Sequence, residues 1–403
     1  MERDTPGQGV GRVARAQMLG DLIDELVADA EAQEAAVAEG RARGPVSQIQ
    51  ELDRALGGYF RPGLHGFTGD PGVGKTCFAL QIAGTCGVPA VYVTAEQSPL
   101  ELLRKVISRV TLTPKSEVET ASPGRVRELA MIAARSAPSL LLLDATRGPA
   151  PATLVAEVAD ELRQRFNSRE VLIVIDALQP WSRSLGEGSE YDLIQAGLSD
   201  LVRLASELRA PALVLSHRNR ASAGTRKAAD AQSSALTAAK GTSDFEHLVE
   251  SALHLSVETS KGSQFSPNVK RVNIYVGKNR HGPTDLTLLL HFIGNHQRFG
   301  LPGEGAGVAM ASPADRRTPT EWTAEEQSAH EATLGEMAAT LPDLALIAWV
   351  RIQFDCVLSL DERGALKAVG AEGVPAPVRA EVRRRAWSLV AELRQANAGP
   401  ASS

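Results

Sequence analysis

The chain has 403 residues, 43% of them hydrophobic and 23% charged, which excludes a wholly disordered or fibrous protein. Its formal net charge of −5 provides no overall basic field for nucleic acid. Three cysteines, Cys77, Cys86 and Cys356, are too few for a disulfide framework or a four-thiolate zinc site. The N-terminal residues lack the apolar segment of a secretion signal, so we expect a cytoplasmic protein with no membrane association.

The first predicted element is an amphipathic helix within residues 14–42. Its apolar stripe consists of Leu19, Leu22, Ile23, Leu26 and Val27. Nothing nearby in the sequence covers this stripe, and we assign residues 1–44 to an N-terminal arm that carries the helix.

Residues 45–300 alternate short apolar runs with helical segments, which predicts an α/β fold with a mostly parallel sheet and helices on both faces. The first five runs are residues 64–69, 90–94, 140–145, 171–176 and 211–216. The later runs at 251–257, 271–277 and 285–292 lack long helices between them. We expect these three to be antiparallel strands that extend the sheet.

The C-terminal region changes composition. Residues 301–320 are rich in Gly, Pro and Ala, which predicts a flexible linker. Beyond it, residues 321–403 predict a small α+β module with helices over 322–341 and 378–395 and a hairpin within 356–369.

A phosphate-binding motif lies between the first predicted strand and the following helix. It matches G-x-x-x-x-G-K-[ST], and the predicted nucleotide-binding residues are Gly69, Asp70, Pro71, Gly72, Val73, Gly74, Lys75, Thr76 and Cys77. The glycines let backbone N–H groups converge on phosphate oxygens, and the helix N-terminus adds partial positive charge. We expect Lys75 to contact the β- and γ-phosphates of ATP and the Thr76 hydroxyl to coordinate Mg²⁺.

Two acidic residues end apolar strands and compete for a role in metal binding. Asp176 follows VLIVI and Asp144 follows LLLL. A carboxylate at the end of a strand downstream of such a loop can hold Mg²⁺. Because the strand before Asp176 is the longer and more apolar one, we predict that Thr76 and Asp176 are the metal ligands.

Three further segments are predicted to take part in catalysis. Glu96 lies just past the strand at 90–94 and could polarise the attacking water, or simply favour the first turn of the next helix. His217 follows the strand at 211–216 and is either a γ-phosphate sensor or a surface residue. Lys278 and Arg280 end a later strand and suit an arginine finger supplied to a neighbouring subunit, with a solvated hairpin tip as the alternative.

Together these motifs resemble those of the RecA-fold ATPases, in the branch that holds DnaB-type helicases, RadA and KaiC. GDPGVGKT and AVYVTAEQS are similar to RadA and KaiC, whereas VLIVIDALQ and GKNRHGP are similar to DnaB-type helicases. The resemblance implies a ring, a hexamer, with nucleotide at the subunit interfaces and single-stranded DNA at its centre. It also implies that the helix within 14–42 is the linker helix by which DnaB-type rings grip the adjacent subunit.

The chain departs from these relatives in its accessory parts. It has one ATPase core and no sign of a DnaB-type collar, a zinc ribbon or a Lon-like domain, so we expect neither a primase-binding role nor RadA itself. Residues 321–403 resemble TubC-type docking modules, which implies a protein partner.

In such a ring, the loops that follow Asp176 and Ser216 face the centre. The first loop, residues 181–191, offers Arg183 and an aromatic edge. The second loop carries Arg218, Arg220, Arg226, Lys227 and Lys240. These cations lie among small polar residues and suit a phosphate backbone, although a solvated surface loop is the alternative.

The leading prediction is an oligomeric, Mg²⁺-dependent ATPase that acts on single-stranded DNA as a DnaB- or RadA-like helicase or translocase in replication, recombination or repair. The alternative is a KaiC-like ATP switch or assembly protein that does not translocate. A third reading is a replication or defence accessory whose core is largely structural.

Overall fold

A computed structural model describes residues 18–216, 247–258 and 268–301, together with part of the stretch from 335 to 397. Residues 1–43 and 44–403 form two separate units. Apart from residue 301, the predicted linker at 301–320 lies outside the described residues, as does most of the predicted helix at 322–341.

The first unit contains the predicted N-terminal helix. A 3-10 turn at Leu19–Leu22 continues into α1, Ile23–Ala38. The apolar stripe of the helix is exposed, with Leu26 retaining 70% of its accessible surface. The described part of this unit therefore leaves the stripe uncovered.

The second unit alternates helices and strands. Its helices are α2 (Gln50–Ala55), α3 (Lys75–Thr85), α4 (Pro99–Thr111), α5 (Lys115–Thr120), α6 (Pro123–Ser136), α7 (Ala152–Arg165), α8 (Leu178–Ser184) and α9 (Glu190–Leu208). Its first five strands are β1 (Gly63–Gly69), β2 (Ala90–Thr94), β3 (Leu140–Asp144), β4 (Leu172–Asp176) and β5 (Pro211–Leu215). They are followed by β6 (Ser251–Val257), β7 (Val269–Asn279), β8 (Leu286–Ile293) and β9 (Arg298–Gly300).

The nine strands form one sheet in the order β3-β2-β4-β5-β1-β6-β7-β8-β9. All pairings from β3 through β6 are parallel, and β7, β8 and β9 add to the edge as antiparallel strands. This arrangement confirms the predicted α/β fold with antiparallel strands that extend a parallel sheet. The prediction that the strand at 251–257 is antiparallel was wrong, because β6 runs parallel to its neighbour β1 and is the last strand of the parallel part.

Side-chain alternation along the strands explains why helices cover both faces. In β4, Leu172 and Val174 join the apolar cluster that includes α3, α4 and α6, whereas Ile173 and Ile175 join the cluster that includes α7, α8 and α9. Successive side chains of a strand point to opposite faces, so a strand that is apolar at every position must be covered on both.

The C-terminal region contains a hairpin and two helices. Strands β10 (Val357–Leu360) and β11 (Leu366–Val369) pair antiparallel, and α10 (Ala376–Arg384) and α11 (Ala386–Asn397) follow. The prediction of one helix over 378–395 was wrong, because α10 ends at Arg384, and Arg385, with φ of −99° and ψ of 13°, separates it from α11. That break contains neither Gly nor Pro, and periodicity alone cannot reveal it.

Within the described ranges, no helix combines the length and apolar character that crossing a membrane requires.

Candidate nucleotide-binding site

The loop between β1 and α3 depends on glycine at two positions. Gly74 caps α3 with φ of 101°, and a Cβ there would lie 2.9 Å from Cζ of Phe299. A Cβ on Gly69 would lie 2.4 Å from the carbonyl oxygen of Leu255 on the neighbouring strand β6. Only glycine tolerates both the positive φ and the close approach, so the loop is held against the sheet directly before the N-terminus of α3.

Lys75 is buried although it is a cation, with 8% of its surface exposed. Its Nζ donates hydrogen bonds to the carbonyl oxygens of Gly69 at 2.7 Å and Asp70 at 3.2 Å. Burial lowers the pKa of Lys75, while the charges of Asp176, Asp70 and Glu96 act to raise it. The ammonium group is therefore held inside the loop, among carboxylates that favour its charged form.

Asp176, at the end of β4, is also buried, with 3% of its surface exposed. Its Oδ2 accepts a hydrogen bond from the Tyr92 hydroxyl at 2.7 Å, and that hydroxyl lies 3.5 Å from the carbonyl oxygen of Thr76. Tyr92 thus connects the end of β4 to the first turn of α3.

The order of the strands places Asp176 and Asp144, the two candidate metal ligands, at different distances from β1. Strand β4, which ends in Asp176, is two positions from β1, or roughly 10 Å at ordinary strand spacing. Strand β3, which ends in Asp144, is four positions away, or roughly 19 Å. The Asp144 carboxylate instead accepts hydrogen bonds from the amide and hydroxyl of Thr146. The geometry favours Asp176 at the phosphate-binding loop.

Glu96 lies in the exposed loop after β2, the strand next to β4. Two hydrogen bonds fix this loop: Ala95 N–H donates to the carbonyl of Asp176 at 2.7 Å, and the Thr94 hydroxyl donates to the carbonyl of Gln97 at 2.5 Å. In the sheet, Thr94 of β2 pairs with Asp176 of β4, and β1 leads into the loop that carries Lys75, so Lys75, Asp176 and Glu96 all lie at the carboxyl ends of the parallel strands.

Lys278 and Arg280 lie at the opposite end of the sheet, where the parallel strands begin. Lys278 Nζ donates to the carbonyl of His247 at 3.1 Å, and Arg280 pairs with Glu250 at 3.0 Å. Glu250 is hydrogen-bonded through its amide to the carbonyl of Leu64, which is five residues before Gly69 on β1. Five strand residues span roughly 17 Å, so these cations lie far from the phosphate-binding loop of their own chain.

The sequence did not predict two residues that contribute to the site at the carboxyl ends of the parallel strands. Tyr92 is one; the signal was a tyrosine inside an otherwise aliphatic strand. The other is Gln179, whose Nε2 donates to Ser216 Oγ at 2.7 Å and joins the segment after β4 to the residue after β5. No motif spacing relates these two positions.

Comparison with known proteins assigns the family. The family model for the DnaB-like helicase C terminal domain matches residues 44–300. The chain belongs to this family. The DnaB-like domain therefore covers the whole sheet together with the phosphate-binding loop, Asp176, Glu96 and Arg280.

Solved structures agree with the DnaB-like fold. The ATPase domain of G40P superposes with a TM-score of 0.56 at 22% identity, covering 70% of this chain and 99% of that domain. A DnaB-like replicative helicase, described with its interactions with primase, gives a TM-score of 0.55 at 20% identity, covering 71% of this chain and 67% of the helicase. At this identity the likeness shows the fold alone.

One sequence relative is a DNA repair protein. RadA of Treponema pallidum (strain Nichols) is 33% identical over 97 residues, which is 24% of this chain and 21% of RadA. The DnaB-like chain thus spans about a fifth of the length of this relative.

The predicted DNA contacts are only partly described. Arg183 lies on α8, exposed, and approaches Glu190 at 3.8 Å. The predicted aromatic edge is reduced, because Trp181 is fully buried and its indole N–H donates to the carbonyl of Ala150 at 2.8 Å. Tyr191 is the exposed aromatic residue of that segment. His217, Arg218, Arg220, Arg226, Lys227 and Lys240 lie outside the described residues.

The residues present fit a nucleotide with Mg²⁺. Lys75, the first residue of α3, carries a buried ammonium group, and Asp176 is linked through Tyr92 to the turn that carries Thr76. In the described part of the chain, no group of three or more His, Cys, Asp or Glu side chains could hold a metal by itself.

Proposed function

We propose that this protein is an Mg²⁺-dependent ATPase that works as an oligomer, a hexamer, and acts on single-stranded DNA as a DnaB- or RadA-like helicase or translocase. The observation that carries the proposal is that Lys75, Asp176 and Glu96 all lie at the carboxyl ends of the parallel strands, where the phosphate-binding loop begins. Membership in the DnaB-like family supports it.

Each side chain has a distinct role in this proposal. The amides of residues 69–77 and the ammonium of Lys75 bind the phosphates, and Thr76 and Asp176 hold Mg²⁺, which neutralises charge on the phosphate oxygens when bound. Glu96 orients and polarises the attacking water, a contribution of about 10²- to 10⁴-fold in rate. His217 senses the γ-phosphate.

The oligomer completes the site. Arg280, with Lys278, acts as a finger on the nucleotide of the neighbouring subunit, because it lies roughly 17 Å from the loop of its own chain. The exposed stripe of α1 packs on an adjacent subunit, since an uncovered apolar face of this kind is a site of protein contact.

DNA contacts come from the segments that follow β4 and β5. Arg183 supplies one contact, and the basic loop supplies the others, through Arg218, Arg220, Arg226, Lys227 and Lys240. Few aromatic residues accompany these cations, so binding depends on the phosphate backbone and weakens strongly with salt. Residues 321–403 bind a protein partner.

The two acids that end apolar strands provide a matched test of the active site. We expect Asp176→Asn to lower Mg²⁺-dependent ATP turnover at least about 100-fold, whereas Asp144→Asn retains nearly all of it. Glu96→Gln should lower turnover by about 10²-fold or more while ATP binding persists. Steady-state phosphate release and nucleotide titration measure these effects. Equal losses in the two aspartate variants would contradict the assignment.

A further inference from the structure

Glu250 occupies a fixed position directly before β6. Its amide donates to the carbonyl of Leu64 at 2.7 Å, and its own carbonyl accepts the amide of Arg280 at 2.9 Å. The side chain lies against Gly63, where an added Cβ would come within 2.5 Å of Glu250 Cγ. Only 17% of the side chain is exposed. The backbone and the stem of this carboxylate are therefore both held by the sheet.

The carboxylate of Glu250 binds Arg280 and His281, the first two residues of the turn that joins β7 to β8. Oε1 accepts Arg280 Nη1 at 3.0 Å, and Oε2 lies 3.0 Å from His281 Nε2. The carbonyl of His247, three residues earlier, accepts from Arg280 Nη2 at 3.3 Å. One short segment thus holds the guanidinium group from two sides.

The backbone of this turn has its own anchors. Asn279 Nδ2 donates to the carbonyls of Ala55 at 2.7 Å and Pro283 at 3.2 Å. Gly282 lies so close to α2 that an added Cβ would be 2.1 Å from the carbonyl oxygen of Ala55. These contacts hold the backbone of the turn without Glu250. The Glu250 carboxylate therefore orients the side chain of Arg280 and is not needed to hold the backbone.

Arg280 remains available for a second contact. Its side chain is 52% exposed, and a guanidinium group has five N–H donors in a planar fork. Arginine has many rotamers, and an arginine that is ordered before it meets its ligand avoids the entropy loss of ordering at that moment.

We infer that Glu250 is a positioning residue, which orders Arg280 in one subunit for contact with the nucleotide phosphates bound by its neighbour. This inference rests on the proposed function, in which Arg280 acts across a subunit interface. Removal of the carboxylate should therefore disable the finger of a subunit and spare the nucleotide site of the same subunit.

Subunit mixing tests this directly. Alone, Glu250→Ala should lower kcat at least about tenfold with the KM for ATP within about twofold of wild type, and Glu250→Gln should show a smaller effect in the same direction. Mixed with Lys75→Ala subunits, whose finger is intact, Glu250→Ala should regain turnover. Mixed with Arg280→Ala subunits, it should not, because neither variant supplies a working finger.

The outcomes separate the inference from the function on which it rests. If Arg280→Ala mixed with Lys75→Ala regains no turnover at any ratio, the finger across the interface is wrong. If that pair regains turnover but Glu250→Ala keeps wild-type kcat, or regains turnover with Arg280→Ala, the inference about Glu250 is overturned.

A purely structural role for Glu250 is also distinguishable. It predicts weaker ATP binding by the variant and no recovery with Lys75→Ala subunits, and either result overturns the inference. Glu128→Gln, which removes an arginine–carboxylate pair of the same 3.0 Å distance on α6, should leave turnover unchanged.

Discussion

At the scale of single residues, the hydroxyl of Tyr92 is the least expected part of the site. Burial raises the pKa of Tyr92 well above its ordinary value, and the charge of Asp176 adds to this effect. The hydroxyl therefore stays protonated and donates to Asp176 at 2.7 Å throughout the working pH range. In the proposed function Tyr92 orients a metal ligand, Asp176, and groups with that role typically contribute about 10- to 100-fold to metal affinity or activity.

We expect Tyr92→Phe to raise the Mg²⁺ concentration for half-maximal ATP turnover about tenfold, because Asp176 loses the donor that orients it. Tyr275→Phe is the matched control, since the hydroxyl of Tyr275 on β7 also donates to a carboxylate, that of Asp285 in the turn before β8. Magnesium titrations of the two variants should differ. The same Mg²⁺ requirement in wild type and Tyr92→Phe would show that the hydroxyl does not support a metal ligand.

His65, on β1, gives the fold a dependence on pH. Its Nε2 donates to the carbonyl of Arg61 at 2.8 Å, and its Nδ1 lies 2.8 Å from the Ser251 hydroxyl. Burial lowers the pKa of His65 to about 4 from 6.5. The unfolded chain takes up this proton near pH 6.5 and the folded chain near pH 4, so the associated stability is present above pH 6.5 and lost as pH falls toward 4.

Between pH 7 and pH 5, this histidine should account for a loss of about 2 kcal/mol in the free energy of unfolding. Urea denaturation at both pH values measures the loss. In His65→Asn the pH-dependent loss should shrink by that amount, whatever the substitution does to stability at pH 7. An unchanged difference between the two pH values would mean that folding does not lower the pKa of His65.

At the scale of elements, the apolar stripe of α1 is exposed, and the described residues of its own unit do not cover it. We expect Leu26→Glu to weaken the oligomer, because a charge replaces an apolar contact, while the secondary structure of the chain persists. Ala28→Glu adds the same charge on the opposite, also exposed side of α1 and should leave the oligomer intact. Sedimentation velocity measures both. Wild-type assembly of Leu26→Glu would remove α1 from the interface.

The elements also show what sequence can and cannot predict. The strands of the parallel sheet lie within about a residue of their predicted bounds, because continuous apolar runs between helical segments have few other interpretations. The break at Arg385 and the burial of Trp181 were not predictable, since both depend on packing between segments. The link from Tyr92 to Asp176 joins residues that are distant in the chain and is visible only once β2 and β4 are paired.

At the scale of the whole molecule, the sheet separates two sets of charged groups. The phosphate-binding loop, Asp176 and Glu96 lie at the carboxyl ends of the parallel strands. Lys278, Arg280 and Glu250 lie at the opposite end of the sheet, where these strands begin. A net charge of −5 is compatible with DNA binding when the cations that contact DNA are confined to one loop, such as residues 218–240.

The most direct test of the proposed motor is steady-state ATP turnover with and without single-stranded DNA, at low and at high salt. We expect DNA to stimulate turnover several-fold at low salt and progressively less as salt rises, because the contacts are to phosphates. Arg226→Ala combined with Lys227→Ala should reduce the stimulation and its salt dependence while basal turnover remains. Turnover that DNA does not stimulate at any salt concentration would contradict the motor and favour an ATP switch of the KaiC kind.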